Sequence, residues 1–374
     1  MRKEGLVDFL SSILVVVIGL AIGFIILLMS DAGQAVPAFN TILTFGFSSM
    51  RNIGDVLLLA TPIILTGLSV AFAFKTGLFN IGASGQFTVG GFVAIYIAVQ
   101  SSHLPSMVRI LLAIIAAAVA GGLWGAIPGL LKAYRNVNEV ISSIMTNYIA
   151  MFLVNFLIMN GITWRGRYIL SPIFDQNRGT TTRMPTDSVV PSFGLQNIFT
   201  DGARSSHVNI GILIAIVTAI LIYIILEKTT FGYELKACGF NKNAAKYAGI
   251  NQNRNIVISM IICGALAGLG GALNYLVGTG LSMSTVDVLA PEGFMGISVA
   301  FLGLNNPIGI IFSGALISYL FLGGARMQVF GFSVELVEMV ISIIIYFCAF
   351  VGLMKIFLMN HSDRFMKIRR WGSR

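Results

Sequence analysis

Residues 55–86 read DVLLLATPIILTGLSVAFAFKTGLFNIGASGQ, and the fold class turns on them. Between Asp55 and Lys75 no residue carries charge. About 20 apolar residues at roughly 1.5 Å each cover the roughly 30 Å hydrocarbon core of a bilayer, so the run predicts a membrane-spanning helix. Gly77, Gly82 and Gly85 then gather around Asn80, which predicts an interruption before apolar sequence resumes at Phe87. Outward from this stretch, further apolar segments lie near 10–29, 87–100, 107–131, 140–160, 208–227, 255–277, 293–304, 307–324 and 334–356, ten in all with 55–74. The expectation is an all-α integral membrane protein of about ten transmembrane helices, some of them interrupted.

Composition agrees. Of 374 residues, 56% are hydrophobic and only 10% charged, too apolar for a soluble core and too poor in charge for disorder. Three scattered cysteines, Cys238, Cys263 and Cys348, provide no disulfide framework. The net charge of +9 could suggest a nucleic-acid partner, but membrane topology accounts for it better. With Arg2 and Lys3 placing the N-terminus inside, alternation puts 16 of the 24 basic residues, including every lysine, on the inner side. Both termini are then cytoplasmic. The whole chain, 1–374, reads as one membrane domain with an outer region at 161–207, an inner loop at 228–254 and a basic inner tail at 357–374. The first segment is too long for a signal peptide and reads as a retained anchor.

Two segments are too short to cross alone: 87–100, after the Gly-rich stretch 75–86, and 293–304, ending at Asn305-Asn306-Pro307. Either they are interrupted helices lining a watery cavity, or tight loops between tilted helices. A weak echo links Gly67-Leu68-Ser69-Val70-Ala71-Phe72 to Gly296-Ile297-Ser298-Val299-Ala300-Phe301. Glycines at four-residue spacing, Gly19/Gly23, Gly121/Gly125/Gly129 and Gly264/Gly268, put small residues on single helix faces and predict close helix packing.

Catalytic chemistry is sparse. His103, His207 and His361 stand apart, and no metal-ligand spacing or phosphate-binding loop occurs. Asp55, Glu292, Glu335 and Glu338 sit at helix starts, where the helix dipole accounts for acids, with Ser333 a candidate N-cap. A transport protein fits better than an enzyme; if ATP drives it, another chain binds the ATP, and no cofactor or metal is expected in this chain.

The inner loop contains a short predicted helix, Phe240 to Ala248. Phe240, Ala244, Tyr247 and Ala248 share one face, opposite Lys242 and Lys246. So short a helix needs a surface to lie on, either its own bundle and the lipid headgroups or a separate cytoplasmic subunit.

Asn243-Ala244-Ala245-Lys246-Tyr247-Ala248-Gly249 resembles the E-A-A-x-x-x-G coupling motif of ABC importer permeases, with Asn243 in place of Glu. The surrounding 239–251 is similar to the branched-chain amino acid, ribose and nucleoside permease superfamily. Thr61–Phe72, Gly77–Gln86, Asn138–Tyr148 and Gly303–Gly309 resemble its nucleoside branch. The resemblance implies a type II importer-like fold and a permease subunit forming half of a translocation pathway, most simply for nucleosides. It also implies a second homologous permease, a cytoplasmic ATPase that holds ATP and Mg, and an extracellular substrate-binding lipoprotein. A sugar or branched-chain amino acid permease is the alternative within that class, and a self-sufficient secondary transporter or channel the alternative outside it. Phe240, Asn243, Ala244, Ala245, Tyr247, Ala248 and Gly249 are the candidate ATPase contacts.

A neutral hydrogen-bonding solute needs amides and hydroxyls along its path. Asn80, Ser84, Gln86, Asn147, Asn305 and Asn306 are the candidates. The same groups could instead satisfy broken backbone or glue neighbouring helices. In the outer region, Arg165, Arg167 and Arg183 could pair with carboxylates of a docking protein, or the stretch could be a solvated loop.

Overall fold

The computed structural model describes residues 2–202, 204–278 and 282–360. Apolar helices dominate: α1 (Arg2–Ser30), α2 (Ala32–Thr44), α3 (Met50–Lys75), α4 (Ala83–Gln100), α5 (Ser106–Arg135) and α6 (Glu139–Asn160) come first. After an irregular region with a short α7 (Leu195–Ile198) follow α8 (Gly211–Lys228), α9 (Thr230–Phe240), α10 (Lys242–Tyr247), α11 (Gln252–Tyr275), α12 (Pro291–Leu302), α13 (Pro307–Ala325) and α14 (Val334–Cys348). Among the described residues eight helices are long and apolar enough to cross a bilayer. A ninth span results if α14 and Val351–Asn360, bent by 47° at their junction, count as one. Of the expected basic tail 357–374, residues 361–374 lie outside the described residues.

The central helix is α3, whose side chains from Ala60 to Ala73 are all buried. Around it pack α11, α12 and α13, and α5 lies across the far side of α11. The glycine spacings explain how these helices come so close. A Cβ placed on Gly264 would meet the Gly121 carbonyl oxygen at 2.2 Å, and one on Gly268 would meet the Ala117 carbonyl oxygen at 2.4 Å. Backbone therefore lies on backbone where α5 crosses α11. Gly90 of α4 joins the same contact, its added Cβ falling 2.3 Å from Gly268 Cα. Gly19 seats α1 on the Ile344 backbone of α14, and Gly23 on the Val340 side chain.

Several sequence expectations change. Residues 32–44, absent from the predicted segments, form α2. Asp31 caps it by accepting the Gly33 and Gln34 N–H groups, and Ala35, Ala38 and Ile42 face inward. At 13 residues it is too short to span, which is why a search for spans passes over it. The stretch 161–207, over its described residues, is built rather than merely a loop. It has three hairpins: β1 (Ile162–Trp164) with β2 (Arg167–Leu170), β3 (Phe174–Asp175) with β4 (Thr180–Thr181), and β5 (Thr200–Asp201) with β6 (Arg204–Ser205). Backbone hydrogen bonds from Ile173 to Ile158, Val190 to Leu276 and Thr181 to Met283 tie it across the helix ends. Buried Arg109 of α5 pairs with Asp187 at 2.5 Å and holds that carboxyl below the usual carboxylate range.

The glycine crossing yields a direct expectation. Gly264→Ala forces backbone apart at Gly121 and should destabilise the protein by about 1–3 kcal/mol. Gly352, which has nothing within 4 Å of an added Cβ, supplies the control. Thermal unfolding of the detergent-solubilised protein should fall for Gly264→Ala and stay unchanged or rise for Gly352→Ala.

Candidate functional site

Two helices begin in the middle of the bundle. α3 runs from the end that carries 161–207, where Gly54 and Asp55 meet Ser206, to the opposite end, where Lys75 and Gly77 meet Gly239. After Lys75 the chain turns back inward, placing Asn80 beside Ser69 with its Nδ2 donating to the Ser69 hydroxyl at 3.0 Å. Only at Ala83 does α4 begin, heading for the 161–207 end, where Tyr96 receives the Ser171 N–H and the Ala98 carbonyl accepts from Ser188.

α12 starts at the same depth. The Glu292 carbonyl accepts the Thr66 hydroxyl at 2.9 Å, and Thr66 lies about 14 Å along the helix from Lys75, near the midpoint of α3. From there α12 runs the other way, reaching Phe301 beside Phe74, ring centroids 4.9 Å apart. Its 12 residues extend about 18 Å, roughly half of a bilayer. The expected interruption at 305–307 is therefore a tight turn at the bundle end, with Leu304 and Asn305 both left-handed at φ 54°. The real break lies upstream of α12, where the described residues 276–278 and 282–290 are not helical.

The two starts touch. A Cβ on Gly293 would meet Ser84 Cα at 2.4 Å, and the Ser84 hydroxyl donates to the Ala290 carbonyl at 2.8 Å. Asn147 of α6 closes the α4 start from the side: its Oδ1 accepts the Gly85 N–H at 2.8 Å and its Nδ2 donates to the Ile81 carbonyl at 3.0 Å. Asn80 and Gln86 pair amide to amide, at 2.8 and 3.1 Å. All four of Asn80, Ser84, Gln86 and Asn147 are buried, at most 1% exposed. These candidates thus assemble as one cluster whose amides are spent on one another and on broken backbone. Asn305 and Asn306 lie apart from them. Asn306 caps α13 through the Ile308 N–H. Thr66 and Ser69 complete the cluster, and sequence reading passed them over because a hydroxyl inside an apolar helix resembles ordinary packing. The echo also has a physical meaning, since Gly67 packs on Val299 and Gly296 on Thr66.

The cluster offers two helix N-termini, amides and hydroxyls, with the Glu292 carboxyl in the first turn of α12 beside them. Among the described residues no group of three or more His, Cys, Asp or Glu side chains could hold a metal.

The candidate coupling segment differs from its sequence reading. Phe240 ends α9, Asn241 breaks the helix, and α10 restarts at Lys242 with Asn241 Oδ1 accepting the Asn243 and Ala244 N–H groups. An Asn side chain that caps its own following turn competes with a continuous helix. Of the expected face, Phe240 and Tyr247 are 90% and 94% exposed, and Asn243, Ala244, Ala248 and Gly249 are exposed too. Ala245 alone in this set is buried, turned to its own chain. The elbow is also tied to the α4 break, because a Cβ on Gly239 would meet the Lys75 carbonyl oxygen at 2.6 Å and Gly77, at φ +70°, lies directly against it. At the other end Arg165, Arg167 and Arg183 are exposed, the first two at the tip of the β1–β2 hairpin.

Comparison with known proteins bears on this geometry. Guanosine ABC transporter permease protein NupP of Bacillus subtilis is 39% identical over 339 residues, covering 90% of this chain and 92% of that protein. Nucleoside ABC transporter permease protein NupB of Lactococcus lactis is 35% identical, covering 92% and 93%. Glucose ABC transporter permease protein TsgB13 of Haloferax volcanii is 32% identical, covering 90% and 85%. No solved structure matches the chain. Residues 52–349, from the first turn of α3 through α14, match the family described as branched-chain amino acid transport system, permease component, and the chain belongs to that permease family.

Proposed function

We propose that this chain is the membrane-spanning permease subunit of an ATP-driven importer and forms half of a pathway for nucleosides. The observation that carries the substrate class is identity of 35–39% to permeases named for nucleosides and guanosine, along nine-tenths or more of the chain. A mid-bundle cluster of amides and hydroxyls suits a neutral, hydrogen-bonding solute. Because those amides are closed on one another, passage requires the two half-helices to part, with a second homologous permease supplying the other wall. The 32% identity to a glucose permease keeps a sugar as the second reading.

In this reading the chain makes ten passes and has both termini in the cytoplasm. The stretches 76–100 and 276–302 each count as one pass, ending in α4 and α12. The lysine-bearing end then faces inward, as the positive-inside bias requires. On that side Phe240, Asn243, Ala244, Tyr247, Ala248 and Gly249 meet a separate ATPase that holds ATP and Mg, with Ala245 anchoring α10 to the bundle. Displacement of the elbow reaches the α4 break through the Gly239–Gly77 backbone contact. At the outer end Arg165, Arg167 and Arg183 meet a substrate-binding lipoprotein.

Two measurements check this. Liposomes containing this chain, its partner permease, the ATPase and the binding protein should take up labelled guanosine or uridine only with ATP. Uptake by this chain alone would instead mark a secondary transporter, and ATP-driven uptake of glucose but not nucleosides a sugar importer. Ala244→Glu places a bulky charge at an exposed position of α10, so the permease should fold and insert as before, while ATPase co-purification is lost. Wild-type recovery of the ATPase would remove the coupling role.

A further inference from the structure

The segment that leads down into α12 shows which side of the bundle is kept from lipid. The Thr285 N–H donates to the Gly179 carbonyl at 3.3 Å at the 161–207 end, and the Ala290 carbonyl accepts the Ser84 hydroxyl at mid-bundle, so residues 286–289 descend between those two levels. Val286, Asp287 and Val288 are exposed, and no helix or strand holds them. The Asn155 amide donates to the Val286 carbonyl at 3.1 Å, but the N–H groups of residues 286–289 have no acceptor among the described residues. Irregular backbone at membrane depth is tolerated only against protein or water, because hydrocarbon offers those groups nothing. This side of the molecule therefore borders a watery pathway or the partner that closes it.

Glu292 stands at the foot of that segment, half-buried in the first turn of α12. Among the described residues no basic side chain forms an ion pair with it. Its own N–H reaches the carboxyl, which leaves most of the acceptor capacity open. The charge is felt at the hydroxyl of Tyr275, whose ring lies on Gly91 and 6.4 Å from the Phe87 ring of α4. The neighbouring hydroxyls are spent, Thr66 on the Glu292 carbonyl and Ser84 on the Ala290 carbonyl. A helix dipole favours an acid at this position but does not solvate it, and an ionisable side chain kept at mid-membrane depth marks the route of a solute.

Resting on the nucleoside reading above, we propose that Glu292 is a specificity-determining residue of the pathway, its carboxylate accepting the two hydroxyls of a vicinal diol, the ribose 2′ and 3′ hydroxyls. An ionised carboxylate only accepts, so its ligand must present two donors side by side. Every ribonucleoside does so through its sugar, whereas among the common bases guanine alone sets a ring N–H beside an exocyclic amine. The Tyr275 hydroxyl both donates and accepts, and completes a polar corner beside the carboxylate. Hydrogen bonds to a charged acceptor are the strong ones, and a site built for a hydroxyl rejects the analogue that lacks it.

Liposomes containing the whole complex test this, with saturating binding protein loaded with each solute so that rates report on the permease. Wild type should take up guanosine about tenfold faster than 2′-deoxyguanosine, the worth of one hydrogen bond to a charged group. Glu292→Gln should bring that ratio below about threefold and leave unchanged the ratio of guanosine to inosine, which lacks the exocyclic amine. An unchanged deoxy ratio overturns the proposal. A variant that instead narrows guanosine against inosine shows the carboxylate reading the base, and overturns the diol. Glu292→Asp keeps the charge at the helix start but withdraws the carboxyl by one methylene, so it should lower the deoxy ratio as well, and it decides the matter should Glu292→Gln fail to assemble. A wild-type ratio in Glu292→Asp marks the acid as a helix-start charge alone and overturns the proposal. Absence of ATP-driven nucleoside uptake by wild type would instead remove the nucleoside reading, and the diol assignment with it.

Discussion

A bilayer has no hydrogen bonds to offer, and every other feature of this molecule follows from how it meets that constraint. Continuous helices meet it internally, but α4 and α12 begin halfway through the bundle, where freed N–H and C=O groups would each cost several kcal/mol in hydrocarbon. The chain answers with side chains at the two starts. Asn147 serves the Gly85 N–H and the Ile81 carbonyl, Ser84 serves Ala290, and Thr66 serves Glu292. Asn80 and Gln86 close on each other beneath them. A permease needs a place where its barrier can open, and a break secured by neutral hydrogen bonds can be undone and remade without moving a charge into lipid.

The second demand is closeness. Helices whose backbones touch, as α5 and α11 do at Gly121 and Gly264, transmit displacement without slack, because no side chain stands between them to change rotamer. The same device joins Gly239 to Gly77, so the exposed elbow of Phe240 and Tyr247 lies one backbone contact from the α4 break. Glycine at these places trades helix propensity for rigid contact, and surrounding burial offsets the loss.

Much of this was legible in the sequence. Twenty-residue apolar runs gave the long helices, the four-residue glycine spacing gave the packing faces, and Ser333 caps α14 as its position suggested, accepting the Leu336 N–H. The amide candidates in the first break were found by residue type. Their arrangement was not legible, because hydropathy carries no depth. The Asn305-Asn306-Pro307 turn therefore resembled a mid-membrane break, while the true break, upstream of α12, fell in the gap between the segments 255–277 and 293–304. Helical periodicity likewise joined Phe240 to Ala248, since it does not register that Asn241 can turn its own side chain back to cap the next turn.

The central claim is that the buried amides hold broken backbone at mid-bundle, and the Gly85 N–H reports on it most directly. Hydrogen–deuterium exchange of the reconstituted complex should show residues 78–92 strongly protected in the wild type. In Asn147→Ala, which removes its bonds to both the Gly85 N–H and the Ile81 carbonyl, protection of that segment should fall at least about tenfold, the value of a single capping hydrogen bond of about 1.4 kcal/mol, while α11 is unaffected. Equal protection in the two proteins, or exchange rising uniformly through the bundle, would contradict the account.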